Sequence, residues 1–406
     1  MATTPTFKAE NGIYRLEWKE EQVQIRIDRL LEEKDKITGE VTITTSAPSV
    51  GPHLLHQRIN LLASRQPIVK TMESTALGAL DWYDMVEQAC LEVVDDYREG
   101  EPLVKVGHLP PDTSENNFVL WPLCRAGEPT VVYGESGQGK SFVGVLAAAL
   151  VQSGTVTSML MPYAPANVLY LDYEASPKEI DRRLHGFSRG FGKHEPTEFI
   201  YRFGTQTVSH DSEALRRIVV EQNIGLVVID SLSMAVGGDL VDPHAIIACF
   251  RALRTLKVAS LIIHHENRQG GYYGSAYILA QTRSAWELKG AKEDNDMTIG
   301  LFHRKSNNGR LMEPIGIRFA FDRDENDEES IDISKGDLLQ FESTAQSMPL
   351  VERMKDLLEH GSRRPDELAA ELGEKEATVR YHLYRRTDLF VSLPGGIYSV
   401  PPPKKD

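Results

Sequence analysis

Residues 12–45 alternate between apolar and polar. Val23, Ile25 and Ile27 are interleaved with Gln24, Arg26 and Asp28, and residues 41–45 read Val-Thr-Ile-Thr-Thr. A period of two sends successive side chains to opposite faces, so the stretch predicts half-buried strands. Residues 1–10 read as a loose start, and 46–51 as a Pro/Gly turn. Residues 54–63 and 82–97 read as helices. In the second, Met85, Cys90, Leu91 and Val94 mark one face. From about Phe118 the pattern changes. Short apolar bursts at 131–133, 168–171, 225–229 and 260–263 alternate with helix-forming segments, which predicts a parallel α/β sheet. A further strand pair is expected at 298–303 and 315–321. The acidic run 322–329 reads as a solvated loop. Residues 349–360, 364–373 and 374–386 predict three helices, and 389–400 a hairpin around Pro394-Gly-Gly. Three helices followed by a hairpin is the winged-helix arrangement.

Composition narrows the class without choosing a function. A chain of 406 residues suggests two or three domains, and 41% apolar with 26% charged residues is ordinary globular usage. The boundaries expected are 1–117, an α+β accessory domain; 118–345, an α/β core; and 346–406, the winged helix. Cys90, Cys124 and Cys249 are far apart and lack metal spacing, which fits buried thiols in a reducing compartment. No 18-residue apolar stretch and no N-terminal apolar segment occur, so a cytoplasmic protein without a membrane partner is expected. A formal net charge of −14 argues against a surface uniformly attracted to nucleic acid and leaves room for a local basic groove.

Residues 134–141 read Gly-Glu-Ser-Gly-Gln-Gly-Lys-Ser, between an apolar strand at 130–133 and a helix-forming run at 142–150. The pattern G-x-x-x-x-G-K-[ST] is a phosphate-binding loop. Its glycines let backbone N–H groups turn inward around phosphate oxygens. Gly134, Glu135, Ser136, Gly137, Gln138, Gly139, Lys140, Ser141 and Phe142 are therefore the candidate nucleotide contacts. Lys140 would reach the β/γ-phosphates, and the Ser141 hydroxyl would face Mg²⁺.

The strand at 225–229 runs into Asp230, an acid at the carboxyl edge of the sheet, where ligands bind in such folds. It is the second candidate for holding Mg²⁺. The second strand ends in Asp172-Tyr-Glu174. If it runs that far, the two carboxylates share one face, with Glu174 at the tip. Glu174 is the expected base for water activation, and Asp172 is the fallback. The fourth strand ends in His264-His265. No partner has metal-ligand spacing, so a γ-phosphate-sensing role, assigned to His265, is the reading. Residues 266–274 form a Gly-rich loop with Arg268, Tyr272 and Tyr273, residue types suited to phosphates and stacked bases. An ordinary surface loop is the alternative.

In this order of motifs the chain resembles the RecA-type P-loop ATPases, especially the hexameric replicative helicases of the RepA-like plasmid group and their DnaB-like relatives. The resemblance covers about residues 118–321. It rests on 134–141, Glu174, Asp230, the His264-His265 pair, Gly274-Ser275 followed by Arg283, and Lys305-Ser-Asn307-Asn-Gly309. It implies a RecA-like P-loop ATPase core, ATP with Mg²⁺, a homo-oligomer of hexameric-ring type, and nucleic acid, DNA first, as partner. It also implies that Arg283 completes a neighbouring subunit's site. An arginine inserted from outside stabilises the transferring phosphoryl group by about 10³–10⁵-fold in rate. Arg304, Lys305 and Arg310 compete for that role. Two features depart from the group. The loop after Asp230 carries Asp239 and Asp242 with little positive charge, and the β-rich N-terminus is unlike the helical one of DnaB-like helicases.

The third helix carries Arg380, His382, Arg385 and Arg386, with Arg380 and Arg385 as candidate nucleic-acid contacts. Yet residues 349–406 hold ten Lys and Arg against ten Asp and Glu, so docking to a protein is an equal reading for this domain. The N-terminal domain is a second place for a protein partner. Two readings follow. The first is an oligomeric, Mg²⁺-dependent ATPase acting on nucleic acid, helicase-like. The second is an ATP-controlled assembly switch or DNA-binding regulator without unwinding.

Overall fold

The structure, a computed structural model, describes residues 3–48, 50–107, 117–193, 195–238, 240, 242–265, 276–293, 295–325 and 328–401. The chain divides into two compact units. One gathers residues 1–113 with 210–223 and 255–257, and the other holds the rest.

The first unit is built on a five-stranded antiparallel meander: β1 (Thr6–Glu10), β2 (Ile13–Trp18), β3 (Val23–Glu33), β4 (Lys36–Thr45) and β5 (His53–Asn60), paired in that order. Alternation decides its faces. Leu16, Ile25, Ile27, Val41 and Ile43 are buried with residues of α1 (Gln66–Glu73) and α2 (Trp82–Glu99), among them Trp82, Met85, Cys90 and Val93. The helix α2 starts where the Asp81 carboxylate accepts the Asp84 N–H at 3.2 Å, a side-chain cap. On the polar residues of β3 and β4 sits the helical segment Ser212–Glu221, whose Arg217 bonds the buried Asp28 and, at 3.0 Å, Glu40.

Two expectations fail in this unit. Residues 54–63 are not helical, because 53–60 form edge strand β5 on β4, where Leu54, Leu55 and Ile59 pack on the same core. The loose start contains β1, paired with β2 from Thr6↔Glu17 to Glu10↔Ile13. In both places a ladder offered by a neighbouring strand overrides a weak local pattern.

The second unit opens with β6 (Phe118–Trp121) and β7 (Cys124–Arg125), which form a small sheet with β9 (Met161–Pro162) in the order β7-β6-β9. Its main elements are β8 (Pro129–Gly134), α3 (Lys140–Ser153), β10 (Asn167–Asp172), α4 (Pro177–Gly190) and β11 (Ile200–Phe203). The segment Ser212–Glu221, α5, intervenes before β12 (Ile224–Asp230), α6 (Leu232–Val236), α7 (Pro243–Thr255), β13 (Ala259–His265) and α8 (Ala276–Gln281). Then come β14 (Ser284–Glu293), β15 (Asp296–Ser306), β16 (Ile315–Arg323) and β17 (Glu329–Lys335). The nine-stranded sheet runs β11-β10-β12-β13-β8-β14-β15-β16-β17. Strands β11 to β14 in that order pair parallel, and β14 to β17 antiparallel.

The central strands are apolar on both faces, as expected where helices cover a parallel sheet. Helix α3 is buried nearly all round, through Val143, Leu146, Leu150 and Val151. The apolar bursts in the sequence thus become β8, β10, β12 and β13. Strands β11, β14 and β17 had not been expected. They begin with polar residues or carry charges, so hydrophobic runs alone do not reveal them.

The acidic run 322–329 is more than a solvated loop. Glu329 opens β17, Arg189 of α4 donates to its carbonyl at 3.0 Å, and Arg189 pairs with Glu328 at 2.5 Å. This contact depends on glycine. A Cβ on Gly190 would lie 2.0 Å from the Ile331 carbonyl oxygen, so only a bare backbone lets α4 approach β17.

The remaining elements are α9 (Glu342–Ala345), α10 (Leu350–Glu359), α11 (Pro365–Leu372), α12 (Glu376–Arg385), β18 (Val391–Leu393) and β19 (Ile397–Ser399). Helices α10 to α12 share a small core of Met354, Leu358, Leu368, Val379, Leu383 and Phe390. Helix α11 stops at Gly373 with φ +67, a left-handed cap.

Gly190→Ala is expected to destabilise the protein by roughly 1–3 kcal/mol or more through overpacking. Gly51→Ala, with nothing within 4 Å of the added Cβ, should stay close to wild type. Urea unfolding of both variants measures the difference.

Candidate functional site

Register brings four strand ends together. Asp172 pairs with Asp230, and His265 with Gly134, so the tips of β10, β12, β13 and β8 share one edge. Between Gly134 and Lys140 the chain turns through Gly137 (φ +78) and Gly139 (φ +94), conformations that disfavour a side chain. A Cβ on Gly139 would also lie 2.8 Å from Met297 Sδ. Lys140 opens α3 and is only 4% exposed. Its Nζ donates to the carbonyls of Gly134 at 2.9 Å and Glu135 at 2.6 Å, bracing the loop at a helix N-terminus whose free amides favour anions.

Asp230 is buried. Its Oδ2 accepts the Tyr170 hydroxyl at 3.0 Å, and Ser141 bonds the same carboxylate. Burial raises its pKa, the bonds from Ser141 and Tyr170 lower it, and the charges of Glu174 and Asp172 raise it again, for a net upward shift. A carboxylate beside a hydroxyl, both hard oxygen donors, suits Mg²⁺. Among the described residues no group of three or more His, Cys, Asp or Glu side chains is placed to hold a metal ion.

Glu174 accepts the Ser231 hydroxyl and lies 3.5 Å from His265 Nε2. The His265 bond holds its carboxyl below the usual range, with help from Ser231 and the Lys140 charge against the effect of burial. His264, its neighbour, is fully buried. The structure therefore gathers Lys140, Ser141, Glu174, Asp230 and His265.

The shared-face expectation for Asp172 and Glu174 does not hold. Strand β10 stops at Asp172, and Glu174 stands in the bend beyond it. Asp172 is fully buried. Its Oδ1 accepts the N–H groups of Glu174 at 2.9 Å and Ala175 at 3.0 Å, and its Oδ2 accepts the Tyr201 hydroxyl at 3.2 Å. It shapes the turn that carries Glu174 and is no fallback for it.

A cleft of about 810 Å³ extends from this edge. Its lining includes Gly139, Lys140, Ser141, Glu174 and His265, and a second group around Phe142 formed by Arg183, Phe321, Arg323 and Glu329. Sequence reasoning missed this second group apart from Phe142. Arg183 sits 4.6 Å over the Phe142 ring and is tied to Glu179. The Glu-x-x-x-Arg spacing on α4 marks an ion pair and nothing more, because its aromatic partner is distant in sequence.

Arg283 lies elsewhere. Its N–H donates to the Pro129 carbonyl at 3.3 Å, and β14 pairs with β8 from Ser284↔Thr130. That is the amino edge of the sheet, about 16 Å from Gly134 at ~3.3 Å per residue. The side chain is exposed. Of its competitors, Lys305 donates to the carbonyls of Leu279 and, at 2.7 Å, Thr282, and Arg304 pairs with Glu287. Arg310 is exposed. Arg268, Tyr272, Tyr273, Gly274 and Ser275 lie outside the described residues. Arg380 and Arg385 are exposed on α12. Arg380 is paired with Glu376, and Arg385 lies over the Tyr381 ring at 5.6 Å. The thiols are buried, and burial pushes Cys90 up to about 11 and Cys249 to about 12, as in inert core cysteines.

Residues 97–271 match the family model described as AAA domain. The match supports an ATP-binding P-loop ATPase domain in this segment. Among solved structures, a KaiC-like protein of the hyperthermophilic archaeon Pyrococcus horikoshii OT3 is similar at 14% identity, over 57% of this chain and 99% of that one, with a TM-score of 0.37. No curated protein matches the chain. Among the described residues no helix is long and apolar enough to cross a membrane.

If Asp172 is a structural acceptor, Asp172→Asn should fold with little loss, since an amide oxygen still accepts both N–H groups. Asp172→Ala should lose roughly 1–3 kcal/mol for each buried donor left unpaired. Chemical denaturation of the two variants tests this.

Proposed function

We propose that the chain is an oligomeric, Mg²⁺-dependent ATPase whose turnover is coupled to nucleic acid. The observation that carries the reading is the convergence of Lys140, Ser141, Asp230, Glu174 and His265 at one edge. Lys140 and the loop amides bind phosphates. Ser141 and Asp230 would hold Mg²⁺, which when bound neutralises phosphate charge. Glu174, kept ionised by His265 and Ser231, orients and deprotonates the attacking water. His265, beside Glu174, registers the γ-phosphate.

Phosphates at the loop leave the base for the part of the cleft around Phe142. There the Arg183 guanidinium, 4.6 Å over the Phe142 ring, is the group assigned to stack on the base. Arg283 is placed too far from its own loop to serve it, and its exposure suits delivery into a neighbour's site. This supports a ring or filament of like subunits. For the C-terminal segment, three helices and a hairpin favour the winged-helix reading, with Arg380 and Arg385 toward nucleic acid.

Lys140→Ala should abolish ATP turnover. Arg283→Ala should keep nucleotide affinity and lose turnover, and mixing it with inactive Glu174→Ala protein should restore part of it through hybrid interfaces. No recovery in the mixture would count against delivery in trans. In the same assay single-stranded DNA should stimulate hydrolysis; DNA-independent hydrolysis without strand displacement points to the assembly-switch reading.

Arg183→Ala should weaken ADP binding by roughly 5–150-fold, the range of about 1–3 kcal/mol for a lost base stack. Affinity for tripolyphosphate, which has no base, should be unchanged. Calorimetry with the two ligands separates stacking from phosphate contact.

A further inference from the structure

Two residues into β14, the indole of Trp286 and the imidazole of His303 face each other across β14 and β15. Their centroids are 4.3 Å apart and their planes differ by 8°. Both rings are buried, Trp286 fully and His303 to 7% exposure. The register shifts between Ala285 and Trp286, a bulge of the kind that re-aims a side chain.

Hydrogen bonds fix the imidazole's tautomer. The Met312 N–H donates to Nδ1 at 2.9 Å. A ring nitrogen that accepts carries no proton, so in the neutral ring the proton is on Nε2. Nε2 then donates to Ser284 Oγ at 3.1 Å, and the Trp286 indole N–H donates to the same oxygen at 3.0 Å. Burial keeps the imidazole below its usual range, partly offset by a bond with the Lys305 backbone.

Each partner of His303 sits beside an exposed arginine. Ser284 follows Arg283, and Met312 closes the segment that carries Arg310. A pocket of about 180 Å³ is lined by Arg283, Ser284, His303, Arg310 and Met312. The Arg283 backbone is itself pinned, by its N–H to the Pro129 carbonyl at 3.3 Å and by its carbonyl to the Asn307 N–H at 3.0 Å.

We propose that His303 is a positioning residue for Arg283, bolting the Arg283–Ser284 corner to the 310–312 segment so that the guanidinium leaves the amino edge at a fixed height and direction. The inference rests on the reading of Arg283 as a group delivered to a neighbour. His303 touches no nucleotide and acts through Ser284 and Met312, with a further bond to the Lys305 backbone. Such a role matters because a misplacement of about 1 Å at a reacting centre can cost ~10²-fold in rate.

Two variants separate the ring from its bonds. His303→Phe keeps a flat ring on Trp286 and loses the ring's hydrogen bonds. His303→Gln keeps one donor and one acceptor. In assembled protein, His303→Phe should lower kcat by roughly 10–100-fold while KM for ATP changes little. His303→Gln should recover most of the loss. A His303→Phe subunit retains its own nucleotide site, so mixing it with Glu174→Ala subunits, which supply a well-placed Arg283, should raise turnover above either protein alone. Wild-type kcat in His303→Phe, a KM that rises in step with the fall in kcat, or no recovery in the mixture overturns the inference. Arg283→Ala is run in parallel. Full turnover there overturns the delivered-arginine reading and this inference with it; loss there beside wild-type turnover in His303→Phe overturns this inference alone.

Discussion

Everything at the candidate site depends on the parallel register of β8, β10, β12 and β13, which brings their carboxyl ends to one edge, with β8 and β13 reaching two residues past β10 and β12. Parallel strands buried on both faces can place polar groups only at their ends, because a carboxylate mid-strand would meet helices on either side. The register pairs Asp172 with Asp230 and His265 with Gly134, so one edge collects charge that the interior excludes. Strand β13 lies between β8 and β12, which brings His265 beside the phosphate loop and within reach of Glu174.

Electrostatics at that edge are tense by construction. Asp172, Glu174 and Asp230 lie close enough for their charges to affect one another, and burial adds to the cost of ionising Asp230. Donors answer this group by group: Tyr170 and Ser141 for Asp230, backbone amides and Tyr201 for Asp172, Ser231 and His265 for Glu174. For Asp230 burial outweighs these donors, and its pKa stays raised.

Much of this was legible in the chain. The phosphate loop has a compact pattern, and the apolar bursts became β8, β10, β12 and β13 because burial on both faces leaves a continuous hydrophobic signal. The alternation in residues 12–45 became hairpins for the same reason at period two. What escaped depends on partners distant in sequence. Segment 53–60 is a strand because β4 offers it a ladder. Asp172 is structural because the chain bends immediately after it, which periodicity does not register. Arg183 and the end of the 322–329 run matter through Phe142 and α4, and no local pattern announces those contacts.

Strand β14 is hydrogen-bonded on both sides, to β8 and to β15. It begins beside Arg283, and at its other end a Cβ on Gly290 would lie 2.5 Å from the Gln138 carbonyl of the phosphate loop. A strand clamped by two ladders cannot slide at one end alone. The span from phosphate loop to Arg283 therefore behaves as a ruler of set length, and the Arg283 backbone is held at a fixed distance from its own phosphate loop.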